Sequence, residues 1–306
     1  MKCWILTDFT KELGASIASK SKTDFSGIVG MLPEGCELVN IYELAIEIDV
    51  NGNGKIWRAG QYVDRPDMAF CLYVGLVAGN LNKYQLQILD QLEMLGTHLM
   101  ITSRQLMTTG DKLKCAQLLA KAGISTPKTI LLNSWIPTSM VVESLGLPMV
   151  VKPVDGSEGR GVCLVHSEDE LKDMLAQKDD NTTLIAQQYI STSKGRDMRM
   201  VMISDEVVFA MIRDNTKSND FRSNLSVGGE AHIVTPPEDA VALGRKIRQV
   251  LGLNICGIDL LFGKDGFMVG EVNSLPGFPT GEEYDGEPVG KRYHRMLMEY
   301  MMKIKD

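Results

Sequence analysis

Gly257-Ile258-Asp259-Leu260-Leu261-Phe262-Gly263-Lys264-Asp265-Gly266-Phe267-Met268-Val269-Gly270-Glu271-Val272-Asn273 reads as two strands about a tight turn, and its register decides what this part of the chain can do. Asp259 interrupts an apolar strand, while Glu271 and Asn273 stand two apart and share one face of the partner strand. A three-residue loop, Lys264-Asp265-Gly266 with the glycine left-handed, pairs Gly263 with Phe267 and brings Asp259 opposite Glu271. A strictly paired four-residue loop puts the two acids on opposite faces. Facing carboxylates on a half-buried sheet repel unless a cation compensates them. One or two Mg²⁺ ions would turn the two acids and the Asn273 amide into a hard-oxygen site completed by phosphate oxygens. The competing reading is a pair of ordinary strand carboxylates on a solvated face.

Toward the N-terminus of this hairpin, cations gather: Lys194, Arg196, Arg199, Arg213, Lys217 and Arg222, with Asp197 among them. Strands are expected over 198–203 and 207–212, joined by Ser204-Asp205-Glu206, so antiparallel pairing brings Arg199, Asp197 and Arg213 together. A polar loop over 214–230 follows and carries Arg222-Ser223-Asn224; loops of that length in a compact domain are functional or disordered. Guanidinium forks bind phosphate or carboxylate bidentately. A solvated face accounts for Lys194 and Lys217, but less well for Arg213, which ends an apolar strand.

Further upstream, Lys152-Pro153-Val154-Asp155-Gly156-Ser157-Glu158-Gly159-Arg160-Gly161 places a lysine at the end of a buried strand and three glycines within six residues. Such a loop offers backbone N–H groups and a cation to phosphate oxygens. The Gly-Lys-Ser/Thr ending of a P-loop is missing, and Gly156, Gly159 and Gly161 do not fit the spacing of a dinucleotide-binding turn. A glycine-rich hairpin with a lysine reaching to solvent is the alternative.

Around these segments the chain reads as α/β followed by α+β. A strand is expected at 3–7, a hairpin of 45–50 with 55–59 about Asn51-Gly52-Asn53-Gly54, a strand at 68–74, and a helix over 81–95 ended by Gly96. That leucine-rich helix serves either the core or an interface between copies. A second helix spans 111–122, capped by Thr109 or Asp111, with Gly123 just beyond it. Strands at 129–132, 149–154 and 162–165, a short helix before Gly146, and a helix opened by the Ser167–Glu170 capping box make a middle lobe. A last helix is expected over 237–251.

Composition removes several functions. The 306 residues carry 32 Lys and Arg against 39 Asp and Glu, a net charge of −7, so no global basic field attracts nucleic acid. No apolar run approaches the roughly 18 to 20 residues needed to span a bilayer, and the start lacks the pattern of a signal peptide, so a cytoplasmic protein is expected. Six dispersed cysteines and four scattered histidines argue against a disulfide frame, a zinc site or a His-based triad.

In their order along the chain, Lys112, Lys152 with its glycine loop, Gln187-Gln188-Tyr189-Ile190, Asp197-x-Arg199, Arg213, Asp220-Phe221-Arg222-Ser223-Asn224, Asp259 and Glu271-Val272-Asn273-Ser274-x-Pro276-Gly277 resemble the ATP-grasp superfamily. The Phe221-Arg222-Ser223-Asn224 loop and the Glu271-Val272-Asn273-Ser274-x-Pro276-Gly277 segment resemble more narrowly the RimK-like branch, typified by the ligase that adds glutamate to ribosomal protein S6. The resemblance covers roughly 85–300 and implies two α+β lobes gripping ATP, preceded by a Rossmann-like domain, with divisions expected at 1–97, 98–185 and 186–306. It implies that Lys112, Lys152 and the loop residues Gly156, Ser157, Gly159 and Gly161 meet phosphates, and that Gln187, Gln188, Tyr189 and Ile190 form the adenine hinge. Asp197 would face the ribose, with Arg199 and Ser223 also on the nucleotide side. Arg213, Arg222 and Asn224 would act on the transferred phosphoryl group and the acyl phosphate, and Asp259, Glu271 and Asn273 would hold two Mg²⁺ or Mn²⁺ ions. The implied activity is ATP-dependent joining of an amino acid, glutamate-like, to the carboxylate of a peptide, protein tail or small molecule. A regulatory module that binds nucleotide on the same fold without ligating is the alternative; loss of a metal ligand or of a phosphoryl-contacting arginine would mark it, and none is lost.

Overall fold

The computed structural model describes residues 2–7, 36–71, 83–156, 159–179, 181–217, 220–223, 229–277, 279 and 281–305. Packing groups the chain into two compact units, one of Met1–Leu106, Leu253–Ile255 and Ser274–Asp306, the other of Met107–Gly252 and Cys256–Asn273. The expected segments 98–185 and 186–306 both contribute to the second unit, and residues from Ser274 onward group with the first.

The first unit contains β1 (Cys3–Thr7), β2 (Cys36–Asn40), β3 (Leu44–Ile48), β4 (Gly54–Arg58), β5 (Gln61–Val63), β6 (Met68–Cys71), the helix α1 (Lys83–Met94) and β7 (His98–Leu99). Strands β2-β1-β6-β7 form a parallel sheet in that order, as expected of a Rossmann-like unit. Its central strand β1 is buried at every position, which is what a parallel strand covered on both faces requires. The expected hairpin is β3 paired with β4, and Asp49 closes its turn by accepting hydrogen bonds from the backbone N–H groups of Asn51 and Asn53. Ile88, Leu89 and Leu92 of α1 are buried, so that face serves the core; Leu81 lies outside the described residues.

The second unit begins in the helix α2 (Ser103–Gly110), which sequence periodicity did not reveal, and continues through α3 (Lys112–Lys121), β8 (Thr129–Leu132), α4 (Thr138–Leu145), β9 (Met149–Pro153), β10 (Cys163–Val165), α5 (Glu168–Gln177) and β11 (Leu184–Gln188). Asp111 is the cap of α3, accepting from the Lys114 N–H at 2.8 Å. Ser167 caps α5 as expected, accepting from the Glu170 N–H, while the Glu170 carboxylate accepts from the His166 N–H rather than from that of Ser167.

Strand alternation then sorts the residues. Met149, Val151, Val165, Leu184 and Ala186 pack with Val141, Leu145 and Leu171 of the two helices. Val150, Lys152 and Gln187 are left to the opposite face of the antiparallel sheet β10-β9-β11-β8.

A second sheet of the same unit, ordered β14-β13-β12-β15-β16, is built from β12 (Arg196–Ile203), β13 (Glu206–Asp214), β14 (Glu230–Ile233), β15 (Ile255–Gly263) and β16 (Gly266–Asn273), with α6 (Glu238–Leu251) between β14 and β15. The first unit is completed by β17 (Glu283–Tyr284), β18 (Glu287–Pro288) and α7 (Val289–Lys305). Among the described residues no helix is long and apolar enough to cross a membrane. All six cysteines are free, and burial alone pushes Cys71 and Cys256 up to about 12, far from reactive thiolates.

The β15–β16 hairpin reaches the expected pairing by another route. Gly263 pairs with Gly266 across the two-residue turn Lys264-Asp265, not with Phe267 across three residues. The register then shifts between Asp259 and Leu260, where Gly270 is the extra residue, and Asp259 falls opposite Glu271. Without that bulge Asp259 would face Gly270 and Glu271 would turn to the other side of the sheet. A Cβ on Gly270 would lie 3.1 Å from Leu261 Cγ and 3.3 Å from the Asp259 carbonyl oxygen. Gly270→Val should therefore cost about 1–3 kcal/mol of stability, measured by denaturant unfolding; an unchanged unfolding free energy would show that the bulge has room to spare.

Candidate active site

One cleft within the second unit collects most of the residues singled out above. From β9, β11 and the adjoining loops come Lys152, Gly156, Gly159, Gln187, Gln188, Tyr189 and Ile190; from the five-stranded sheet and its loops come Asp197, Arg213, Arg222, Ser223, Asp259 and Glu271; Lys112 joins them from the first turn of α3. Gly161, Arg199 and Asn273 do not line it, and Ser157 and Asn224 lie outside the described residues. Val150 and Leu261, apolar lining residues that chemistry-bearing motifs do not flag, are each two positions from a functional side chain, Lys152 and Asp259 respectively. That period of two was the available signal. Phe221 also lines the cleft and meets Tyr189 edge-on at 6.2 Å between ring centroids.

The floor of the five-stranded sheet is a buried charge cluster. Asp197 and Arg213 are direct cross-strand partners on β12 and β13. The guanidinium of Arg213 donates from Nε to Asp197 Oδ1 at 2.8 Å and from Nη2 to Asp197 Oδ2 at 2.5 Å, and Nη2 also lies 2.9 Å from Asp259 Oδ2. Arg199, two positions along β12 from Asp197, forks onto Asp259 at 2.7 and 2.8 Å. Ser223 donates its hydroxyl proton to Asp197 at 2.7 Å. Burial works to raise the Asp259 carboxyl, but Arg199 and Arg213 outweigh it and hold the group down at about 2. The cations that compensate Asp259 are thus the guanidinium groups of Arg199 and Arg213. Arg199, expected on the nucleotide side, is spent behind Asp259, and the Asp197 carboxylate, expected toward the ribose, is taken up by Arg213 and Ser223.

The loop cations are parked on backbone and acids. Lys112 donates through its main-chain N–H to the Val154 carbonyl at 3.0 Å and through Nζ to the Gly156 carbonyl at 2.7 Å, with Glu271 Oε1 at 3.9 Å. Arg222 forks onto Asp220 and reaches the Gly159 carbonyl at 2.9 Å through Nη1. The glycine loop is therefore held near both ends by side chains that carry the charge an anion would need. Its segment partner, 220–223, is itself pinned: the Gly195 N–H donates to the Phe221 carbonyl and Asn215 Nδ2 to the Arg222 carbonyl, each at 2.9 Å.

A family model described as a RimK-like ATP-grasp domain matches residues 109–295. The chain is 38% identical over 213 residues to a probable alpha-L-glutamate ligase of Citrobacter koseri, covering 68% of this chain and 70% of that protein. The chain belongs to the RimK-like ATP-grasp family. A ribosomal protein bS6–L-glutamate ligase of Escherichia fergusonii is 35% identical over 216 residues, 70% of this chain and 72% of that protein. The fold extends to structures of low identity: the ATP-grasp ligase PsnB in complex with a minimal precursor (TM-score 0.67, 19% identity, 97% of this chain and 99% of that one), and the D-alanine–D-alanine ligase of Bacillus anthracis (TM-score 0.67, 17% identity, 99% and 98%). The chain is accordingly an ATP-dependent, ADP-forming ligase on an ATP-grasp fold, with a parallel sheet in its first unit.

Lys152 offers a direct test of the cleft's electrostatics. Burial brings its ammonium down from 10.5 to about 8, with Glu271 and Asp259 pulling upward and Lys112 pushing further down. Below about pH 8 the ligase carries this proton both folded and unfolded. Between about 8 and 10.5 only the unfolded chain keeps it, so this group's contribution makes stability rise with pH across that window. Lys152→Met should abolish the rise, read as the difference in denaturant unfolding free energy between about pH 7 and about pH 10; an identical pH slope in the variant would refute the assignment.

Proposed function

We propose that the ligase joins an amino acid, glutamate-like, to the carboxylate of a peptide, protein tail or small molecule through an acyl phosphate. The observation that carries this reading is the convergence of Lys112, Lys152, Arg213 and Arg222 with Asp259 and Glu271 on one cleft. The named relatives support the amino-acid class: two are described as ligases of L-glutamate, one of them acting on ribosomal protein bS6. Free thiols throughout fit the reducing cytoplasm, where we place the protein.

A carboxylate does not condense with an amine in water, because an oxide is a poor leaving group. Transfer of the γ-phosphoryl group of ATP to a carboxylate oxygen releases ADP and leaves an acyl phosphate. The amine nitrogen then attacks the acyl carbon, the tetrahedral oxyanion collapses, phosphate departs with the bonding electrons, and the nitrogen loses a proton. This chain's work is to bind, orient and neutralise. Lys112 lies where it can exchange the Gly156 carbonyl and Glu271 for phosphate oxygens, and Lys152 lines the same cleft. Arg213 and Arg222 hold the charge that develops on the transferred group and on the oxyanion. The glycine loop excludes water that would otherwise hydrolyse the intermediate. Tyr189 and Ile190, beside Gln187 and Gln188, provide the hinge for the adenine.

The donor set fits a hard divalent cation. Asp259 and Glu271 are paired across the hairpin with Asn273 two positions on, and among the described residues Asp259 Oδ1 accepts one hydrogen bond, from Arg199 Nε, which leaves it capacity for a further partner. Among the described residues no three Asp, Glu, His or Cys side chains come together, and in the proposed set the third protein oxygen would be the Asn273 amide. All-oxygen ligation selects Mg²⁺ or Mn²⁺ over zinc, and two such ions would supply charge neutralisation along the phosphates.

ADP release should require a carboxylate and an amine together, read across pairs of amino acids and peptides with mass spectrometry of the product. ADP release indifferent to the amine, with phosphate left on the substrate, would overturn ligation through this site. Glu271→Gln should lower turnover by at least about 100-fold, while ATP still binds within about tenfold of the parent by calorimetry; full turnover in that variant would remove Glu271 from the mechanism.

A further inference from the structure

We propose that Asp197 is a positioning residue for the phosphoryl-contacting arginines: it aims Arg213 and, through Ser223, fastens the segment that presents Arg222. The inference rests on the reading that these arginines meet the transferred phosphoryl group. Asp197 is 5% exposed and both of its oxygens are spent inside the protein, Oδ1 on Arg213 Nε and Oδ2 on Arg213 Nη2 and the Ser223 hydroxyl. A bidentate fork fixes the plane of the guanidinium as well as its place. With Nε and one Nη2 proton on Asp197 and the other Nη2 proton directed at Asp259, the two Nη1 protons have no hydrogen bond among the described residues. Arg213 lines the cleft, so the unspent edge of its guanidinium is the part a phosphoryl oxygen can use. Ser223 directly follows Arg222, so the same carboxylate restrains both arginines.

Only a carboxylate meets this demand. Three donors converge on it, whereas an asparagine offers one acceptor oxygen and presents an NH₂ group to donors. A nucleotide contact at Asp197 would have to displace a fork already made, while a positioning role uses the fork as it stands.

The test is steady-state and single-turnover ADP release by Asp197→Asn, Ser223→Ala, Arg213→Ala, Arg222→Ala and the doubles Asp197→Asn with Arg213→Ala and Ser223→Ala with Arg222→Ala, on the substrate pair found by the screen above. Asp197→Asn should lower kcat about 100-fold with the KM for ATP within about threefold, and Ser223→Ala should lower kcat about 3–10-fold. Ser223→Ala should slow Arg222→Ala by no more than about threefold, and Asp197→Asn should slow Arg213→Ala by no more than the about 3–10-fold that acts through Ser223, because each residue then has nothing further to position. Multiplying losses in the doubles, or a KM for ATP raised at least about tenfold with kcat kept, would overturn the inference and make Asp197 an independent or nucleotide-binding group. If Asp197→Asn does not fold, judged by near-ultraviolet circular dichroism, Ser223→Ala and its double decide by the same criterion. Arg213→Ala at parental turnover overturns the reading of the site itself; a crippled Arg213→Ala beside fully active Asp197→Asn and Ser223→Ala overturns only the positioning role.

Discussion

The Arg213 guanidinium, held between Asp197 at 2.5 Å and Asp259 at 2.9 Å, is the constraint on which the second unit depends. All three side chains are nearly sealed from solvent, and a lone charge there would meet a large desolvation penalty. Arg199 supplies the fourth charge, making two cations against two anions. The balance holds only if β12, β13 and β15 keep their mutual register, because each strand contributes one or two members. The cluster thus specifies strand alignment, and it does so at the wall of the cleft where phosphate chemistry is proposed.

Both sheets of that unit use strand alternation to separate support from function. On β9, Met149 and Val151 enter the helix-packed core while Val150 and Lys152 face the cleft. Asp197 and Arg199 on β12 and Asp259 and Leu261 on β15 lie on one face of the five-stranded sheet. Cations between the sheets have partners of their own: Lys112 and Arg222 rest on carbonyls of the glycine loop, and Arg213 and Arg199 on acids.

Much of this was legible residue by residue. Asp111 and Ser167 announced their helices as caps, the Asn-Gly pairs announced the β3–β4 turn, and the isolated Asp259 in an apolar strand announced a buried acid with a reason to be there. Other features had no local signature. The α2 helix and β14 strand are only eight and four residues long, and α7 lies beyond the motifs that guided the reading. Arg199 was placed with the nucleotide because arginines near a phosphate site look alike in sequence; its turn toward Asp259 depends on a strand 60 residues away.

The sequence by itself determined the inventory: which strands and helices form, which acids and cations exist, and, through period two and the capping signals, which face each occupies. Only the tertiary structure decided how those faces meet. Whether Asp259 opposes Glu271 turned on one extra residue at Gly270, a bulge that a two-residue turn makes necessary and that no local preference encodes. Which side chain meets the Asp197 carboxylate turned on the alignment of β12 with β13, which sets Arg213 opposite it. Local preference acts over a few residues, whereas the pairing of buried charges is settled by desolvation and geometry across strands far apart in the chain.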